Sequence, residues 1–110
     1  MKTPITLLAF LTVTGLALAA EPPQTWTENC ASCHGANGKG ATRAGRQAGV
    51  KDLTVADYQK GFTDEEAFAR IKEGAKDESG KEQMKAFGDK LEDAQINELI
   101  AFVRSLAPQS

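Results

Sequence analysis

The chain holds only two cysteines, Cys30 and Cys33, and its sole histidine follows them directly in the run Cys30-Ala31-Ser32-Cys33-His34. Two thiols three positions apart restrain little of the unfolded chain, so a disulfide between them is a poor structural staple. The chain's size makes that shortage important. Its first residues read as a secretory signal peptide: Lys2 as a positive lead, a largely apolar uncharged run over residues 5–18, and small residues at Ala17 and Ala19. Cleavage is expected after Ala19. The apolar run is shorter than the ~20 residues of a spanning helix, so no transmembrane span is expected in the mature chain. Removing residues 1–19 from the 110 leaves 91, a single domain over residues 20–110. A domain of that size is marginal on hydrophobic burial alone and calls for a metal or cofactor at its centre.

Charge excludes one class of partner. Thirteen basic and fifteen acidic residues give a net charge of −2, with no polybasic arm, so nucleic acid is not expected as a partner. Lys39, Arg43, Arg46 and Lys51 follow the cysteine run, while acids dominate residues 57–78. Ordinary solvated charge explains this distribution, and a docking patch is the sharper alternative.

The pattern along residues 20–110 is helical throughout. Pro22-Pro23 stops a helix from running backwards, and a first helix is expected from Gln24, carrying Trp26, Cys30 and Cys33. Trp26 and Cys30, four apart, share one of its faces. Residues 35–50 contain five glycines and read as an extended loop. Thr63-Asp64-Glu65-Glu66 has the form of a capping box, with Phe68 and Ile71 on the apolar face behind it and Gly74 as a stop. The last helix is expected from Asp93 to Leu106, with Ile96, Leu99, Ile100, Val103 and Leu106 in one apolar stripe and Pro108 beyond its end. No alternating strand pattern is visible, so the fold class is all-α.

Cys30-Ala31-Ser32-Cys33-His34 matches the haem-attachment motif C-x-x-C-H. Cysteines three apart on one helical turn reach the two vinyl groups of a haem as thioethers. The adjacent histidine then turns toward the iron as a proximal ligand. Two rival readings use the same residues. A structural zinc site needs four ligands, and two cysteines with one histidine fall short unless a carboxylate joins them. A thioredoxin-like dithiol belongs in a βαβ setting, which an all-α pattern lacks. The second axial position has one thioether candidate, because Met1 leaves with the signal peptide and only Met84 remains. A lone methionine more often fills a gap in a core. Met84, however, stands in a polar, breaker-containing stretch over residues 76–90. A thioether ligand favours ferrous iron and raises the reduction potential.

These residues resemble the class I cytochromes c. The resemblance rests on Cys30 to Gly35, on Met84-Lys85-Ala86-Phe87-Gly88-Asp89-Lys90-Leu91, and on the ending Leu99 to Leu106. Lys51-Asp52-Leu53-Thr54 and residues 62–74 also look like small bacterial members, so nearly all of residues 20–110 are covered. It implies a compact cytochrome c fold of three main helices, the first and last crossing, with Trp26 and Phe102 at or near the crossing. It also implies one covalent haem c on Cys30 and Cys33, with His34 and Met84 as axial iron ligands. Two departures bear on Met84. Members of the family commonly place proline straight after the ligand methionine, where Lys85 stands here. Many also carry one in the loop after the haem motif, whereas this chain has none between Pro23 and Pro108. The expectation is a Met84 segment with less backbone restraint.

The implied function is one-electron transfer by a periplasmic carrier rather than an enzyme. Its expected form is a monomer that docks transiently, at the haem edge, with larger redox proteins. Lys39, Arg43, Arg46, Lys81, Lys85 and Lys90 are candidates to surround that edge, and Tyr58, Gln59 and Arg43 to meet the propionates. One alternative is a cytochrome subunit held permanently by a dehydrogenase or oxidase. Another is an open-site haem enzyme or gas binder, which lacks a second histidine to serve as a distal base.

Overall fold

The computed structural model describes residues 2–4, 9 and 21–108. Most of the expected signal peptide, with its cleavage point, lies outside the described residues. The elements run α1 (Gln24–Asn29), α2 (Ala31–His34), α3 (Arg43–Ala48), α4 (Ala56–Gln59), α5 (Asp64–Glu73), β1 (Ala75–Lys76), β2 (Glu82–Met84) and α6 (Asp93–Ser105). No helix among the described residues is long and apolar enough to cross a membrane.

Pro23 caps α1, its carbonyl accepting from the amides of Trp26 and Thr27 at 2.9 and 3.2 Å. The first helix does not continue unbroken to Cys33 as expected. It breaks at Cys30, whose φ of −115° leaves the helical range, and resumes as α2. Asn29 provides a local cause. Its Nδ2 donates to the Thr25 carbonyl at 3.0 Å, a side-chain bond that competes with the helical ladder. Gly35, at φ 82°, ends α2.

Residues 35–50 are not the extended loop that their glycines suggest, because α3 lies within them. Thr42 caps it, its Oγ1 accepting from the Gly45 amide at 2.8 Å. Gly49 closes it in the left-handed conformation, with the Val50 amide donating to the Gly45 carbonyl at 3.0 Å. Gly45 is a packing residue: a Cβ there would strike the Cys33 carbonyl oxygen.

The capping box of α5 forms as expected, with the Glu66 amide donating to Thr63 Oγ1 at 3.0 Å and the Thr63 amide to Glu66 Oε1 at 3.3 Å. After Gly74 the chain makes a short antiparallel hairpin, Ala75 opposite Met84 and Lys76 opposite Glu82, with an irregularity between. Strands this short carry no period, so the all-α expectation gains this one exception.

Helix α6 forms the spine of the core. Ile96, Leu99, Ile100 and Phe102 are buried against Trp26, Cys30, Leu53, Phe87 and Leu91. Val103 and Leu106 are partly buried at its edge. The first and last helices meet where Trp26 and Phe102 pack edge-to-face, ring centroids 4.9 Å apart. Arg104 ties α6 to the middle of the chain. It donates to the carbonyls of Gln59 and Phe62 at 2.6 and 2.8 Å and to Asp64 Oδ1 at 2.8 Å. Its guanidinium also lies 4.4 Å from the centroid of the Phe62 ring.

Candidate functional site

The motif residues sit on both sides of the break at Cys30. Cys30 is buried in the core and Cys33 is partly exposed; both thiols are free. Burial, with a smaller contribution from Cys33, pushes the Cys30 thiol up to about 11. A redox dithiol depends on a lowered thiol pKa, so this environment argues against the thioredoxin-like reading. The zinc reading also lacks its ligands. Among the described residues no three His, Cys, Asp or Glu side chains gather in a metal-holding group.

The loop after the motif holds α2 in place. Thr42 Oγ1 donates to the carbonyls of Ser32 and Cys33 at 2.8 and 3.1 Å, and the Gly40 amide to that of His34 at 2.8 Å. Trp26 Nε1 donates to the Gly35 carbonyl at 3.1 Å, and its ring lies 5.7 Å from that of His34. His34 is thus braced by an indole from α1 and by the backbone of the loop. Burial lowers its pKa, which keeps the imidazole in the neutral form that binds metals. Its Nδ1 is buried without a hydrogen-bond partner among the described residues.

Met84 ends β2 and packs, partly buried, against the same core cluster that contains Cys30 and Trp26. Its segment hangs from the end of α5. The Phe87 and Gly88 amides donate to the carbonyls of Ile71 and Lys72 at 2.9 and 3.0 Å. A Cβ on Gly74 would come within 2.7 Å of the Met84 carbonyl oxygen. Restraint expected to be missing without proline is therefore supplied by the hairpin and by these backbone bonds. Cys30 and Met84 thus pack in one apolar core, and the His34 ring lies beside Trp26 of the same core.

Of the three propionate candidates, Gln59 is engaged elsewhere. It is buried, and its Nε2 donates to the carbonyls of Leu53 and Val103 at 2.6 and 2.8 Å. Tyr58 is partly buried, packing edge-to-face on Phe62 at 5.7 Å, and Arg43 is exposed. Gly74, whose missing Cβ makes room for the Met84 carbonyl, is visible in the sequence as a helix stop but not as a support of the site, because that contact is made only in the folded chain.

A family model for cytochrome c matches residues 19–107. The chain belongs to the cytochrome c family. As a cytochrome c it carries covalently bound haem c and serves electron transport, and Cys30 and Cys33 have the spacing of the attachment pair. It is similar to the Cbb3-type cytochrome c oxidase subunit CcoP of Azospirillum brasilense, 33% identical over 91 residues. That match takes in 82% of this chain but only 29% of the relative, so this cytochrome c spans under a third of that protein's length. Among solved structures it is similar to the KustC0563 c-type cytochrome, with a TM-score of 0.68 and 27% identity, covering 77% of this chain and 95% of the other. The fold is that of a cytochrome c.

Proposed function

We propose that this cytochrome c is an exported one-electron carrier whose iron is held by His34 and Met84. The observation that carries the reading is the packing of Cys30 and Met84 in one apolar core, with the His34 ring beside core Trp26 and Cys33 directly before it on α2. Residues 1–19 direct export and are removed, leaving residues 20–110 as a monomeric domain in the periplasm. Bound in that domain, the haem iron supplies a ferrous–ferric couple for outer-sphere electron transfer.

The chain's residues do the rest. Cys30, at the break between α1 and α2, and Cys33, on α2, would hold the cofactor as thioethers. Trp26 packs beside the His34 ring while the Gly40 amide holds its backbone carbonyl, and burial favours the neutral imidazole. Met84 would hold the iron through a soft sulfur, a ligand that would raise the potential and keep dioxygen and peroxide from the metal. Phe87, Leu91, Ile96 and Leu99 exclude water, lowering the local dielectric around the site. Redox partners dock transiently, and Tyr58 and Arg43 remain as propionate contacts. Exposed Lys39, Arg43, Arg46, Lys81, Lys85 and Lys90 steer an acidic partner, so transfer to it should slow as ionic strength rises. A rate indifferent to salt would remove that steering.

The similarity to an oxidase subunit favours a second reading, in which the domain works as a fixed component of a larger redox enzyme. Co-purification with such an enzyme would support it, whereas elution as a free monomer supports the carrier.

Absorption spectra of the haem-loaded protein test the ligation: ferric, ferrous, and ferrous with carbon monoxide. The expected result is a low-spin c-type spectrum with a far-red methionine–iron band and no shift on adding carbon monoxide; in Met84→Ala the band disappears and carbon monoxide binds. A high-spin wild-type spectrum with ready carbon monoxide binding would overturn Met84 as ligand.

A further inference from the structure

Asp77 stands between β1 and β2, and its exposed carboxylate collects donors from the whole turn. Oδ1 accepts from the Ser79 amide at 2.9 Å, the Ser79 hydroxyl at 2.6 Å and the Lys81 amide at 3.0 Å, while Oδ2 accepts from Gln83 Nε2 at 3.1 Å. The main chain closes the same turn. The Asp77 amide donates to the Lys81 carbonyl at 2.9 Å, and the Gly80 amide to the Asp77 carbonyl at 3.0 Å. Gly80 takes φ 85°, which suits glycine at the end of such a turn.

The position of this cluster gives it a role beyond the turn. Strands of two and three residues are too short to hold themselves together in water. Asp77 directly follows β1, Gln83 lies within β2, and β2 ends at Met84. A side chain gripping both ends of the hairpin therefore fixes the main chain that carries the sulfur. On the far side, the bonds from Phe87 and Gly88 to the end of α5 pin the chain just after Met84. Met84 is thus held between two anchors, one of them built largely on a single carboxylate.

We propose that Asp77 is the positioning residue for the Met84 thioether: its carboxylate fixes the hairpin and so sets how readily an outside ligand takes the sulfur's place. This rests on the His34 and Met84 ligation proposed above. An incoming ligand must wait for the Met84 segment to open, and local openings are governed by the few bonds that close them.

The test is an imidazole titration of the ferric, haem-loaded protein, followed by loss of the far-red methionine–iron band. Asp77→Ala should raise the apparent imidazole affinity about tenfold, the effect of losing one or two net hydrogen bonds. Asp77→Asn keeps an oxygen for Ser79 and Lys81 and should stay within about twofold of wild type. Thr63→Ala, which weakens α5 at its far end, should lower the unfolding midpoint and leave imidazole affinity unchanged. That separates positioning from general stability. An Asp77→Ala protein that binds imidazole as wild type does overturns the proposal, as does an Asp77→Asn protein whose imidazole affinity rises as far as that of Asp77→Ala. Should Asp77→Ala fail to take up haem, Ser79→Ala removes one donor and should still raise affinity about threefold; no rise overturns the proposal. The underlying ligation is read separately. If wild type and Met84→Ala bind imidazole equally, Met84 is not the ligand, and the proposal falls with that reading.

Discussion

A methyl group on Gly74 would meet the Met84 carbonyl oxygen at 2.7 Å and the Ala86 amide nitrogen at 3.0 Å, and the residue also holds φ 80°. Two penalties therefore act at one position: strain in a backbone region that L side chains avoid, and a clash with main chain that cannot swing away. Gly49 has φ 69° as well, but nothing lies within 4 Å of its missing Cβ. The pair separates the two effects. Gly49→Ala should cost about 1 kcal/mol, the strain alone, and leave the spectrum untouched. Gly74→Ala should cost about 2–3 kcal/mol and also weaken the far-red methionine band, because its obstacle is the backbone of the ligand residue. Denaturant midpoints and absorption spectra of the two loaded variants check this. Equal costs with unchanged spectra would mean that the Met84 segment shifts freely to make room.

Helix α5 shows how an element can be read from a few residues. Thr63 and Glu66 satisfy each other's amides at its start, and Gly74 turns the chain away at its end. Removing the cap hydroxyl in Thr63→Ala should cost about 1 kcal/mol, read as a lower unfolding midpoint of the loaded protein; no change would mean that the Glu66 carboxylate or water replaces the cap. The same local chemistry made α6 legible, since its apolar stripe recurs at helical spacing and faces the core as expected. Helix α3 and the hairpin escaped for opposite reasons. In α3, Gly45 and Gly49 read as breakers, yet one is small to admit the Cys33 carbonyl and the other closes the helix. In the hairpin, the strands are too short to alternate. The signal lay in Asp77-Glu78-Ser79-Gly80, a turn sequence that matters because the strand leaving it ends at Met84. Contiguous chemistry such as Cys30 to His34 is visible in a sequence, while a support such as Gly74 becomes visible only when the backbone of Met84 and Ala86 is brought alongside.

At the scale of the molecule, α6 joins two parts. The motif helices meet it at Trp26 and Phe102; α5, from whose end the Met84 segment hangs by the backbone bonds of Phe87 and Gly88, is tied to it by Arg104 to Asp64 and by Lys72 to Asp93. A small core joins them, so the Met84–iron bond and the integrity of the fold should be lost together, the haem staying on its thioethers. The position of Trp26 makes this observable. It is the only tryptophan in the chain, and its ring lies 5.7 Å from His34 and 4.9 Å from Phe102. In the loaded protein its emission should be almost fully quenched by energy transfer to the neighbouring porphyrin. During denaturation it should brighten with the same midpoint at which helical ellipticity falls. Brightening that precedes the loss of ellipticity would mean that the helix crossing opens while the helices persist. One indole, placed between the cofactor site and the crossing, thus makes the protein its own optical gauge, able to report without any added label whether its first and last helices are still closed over the cofactor.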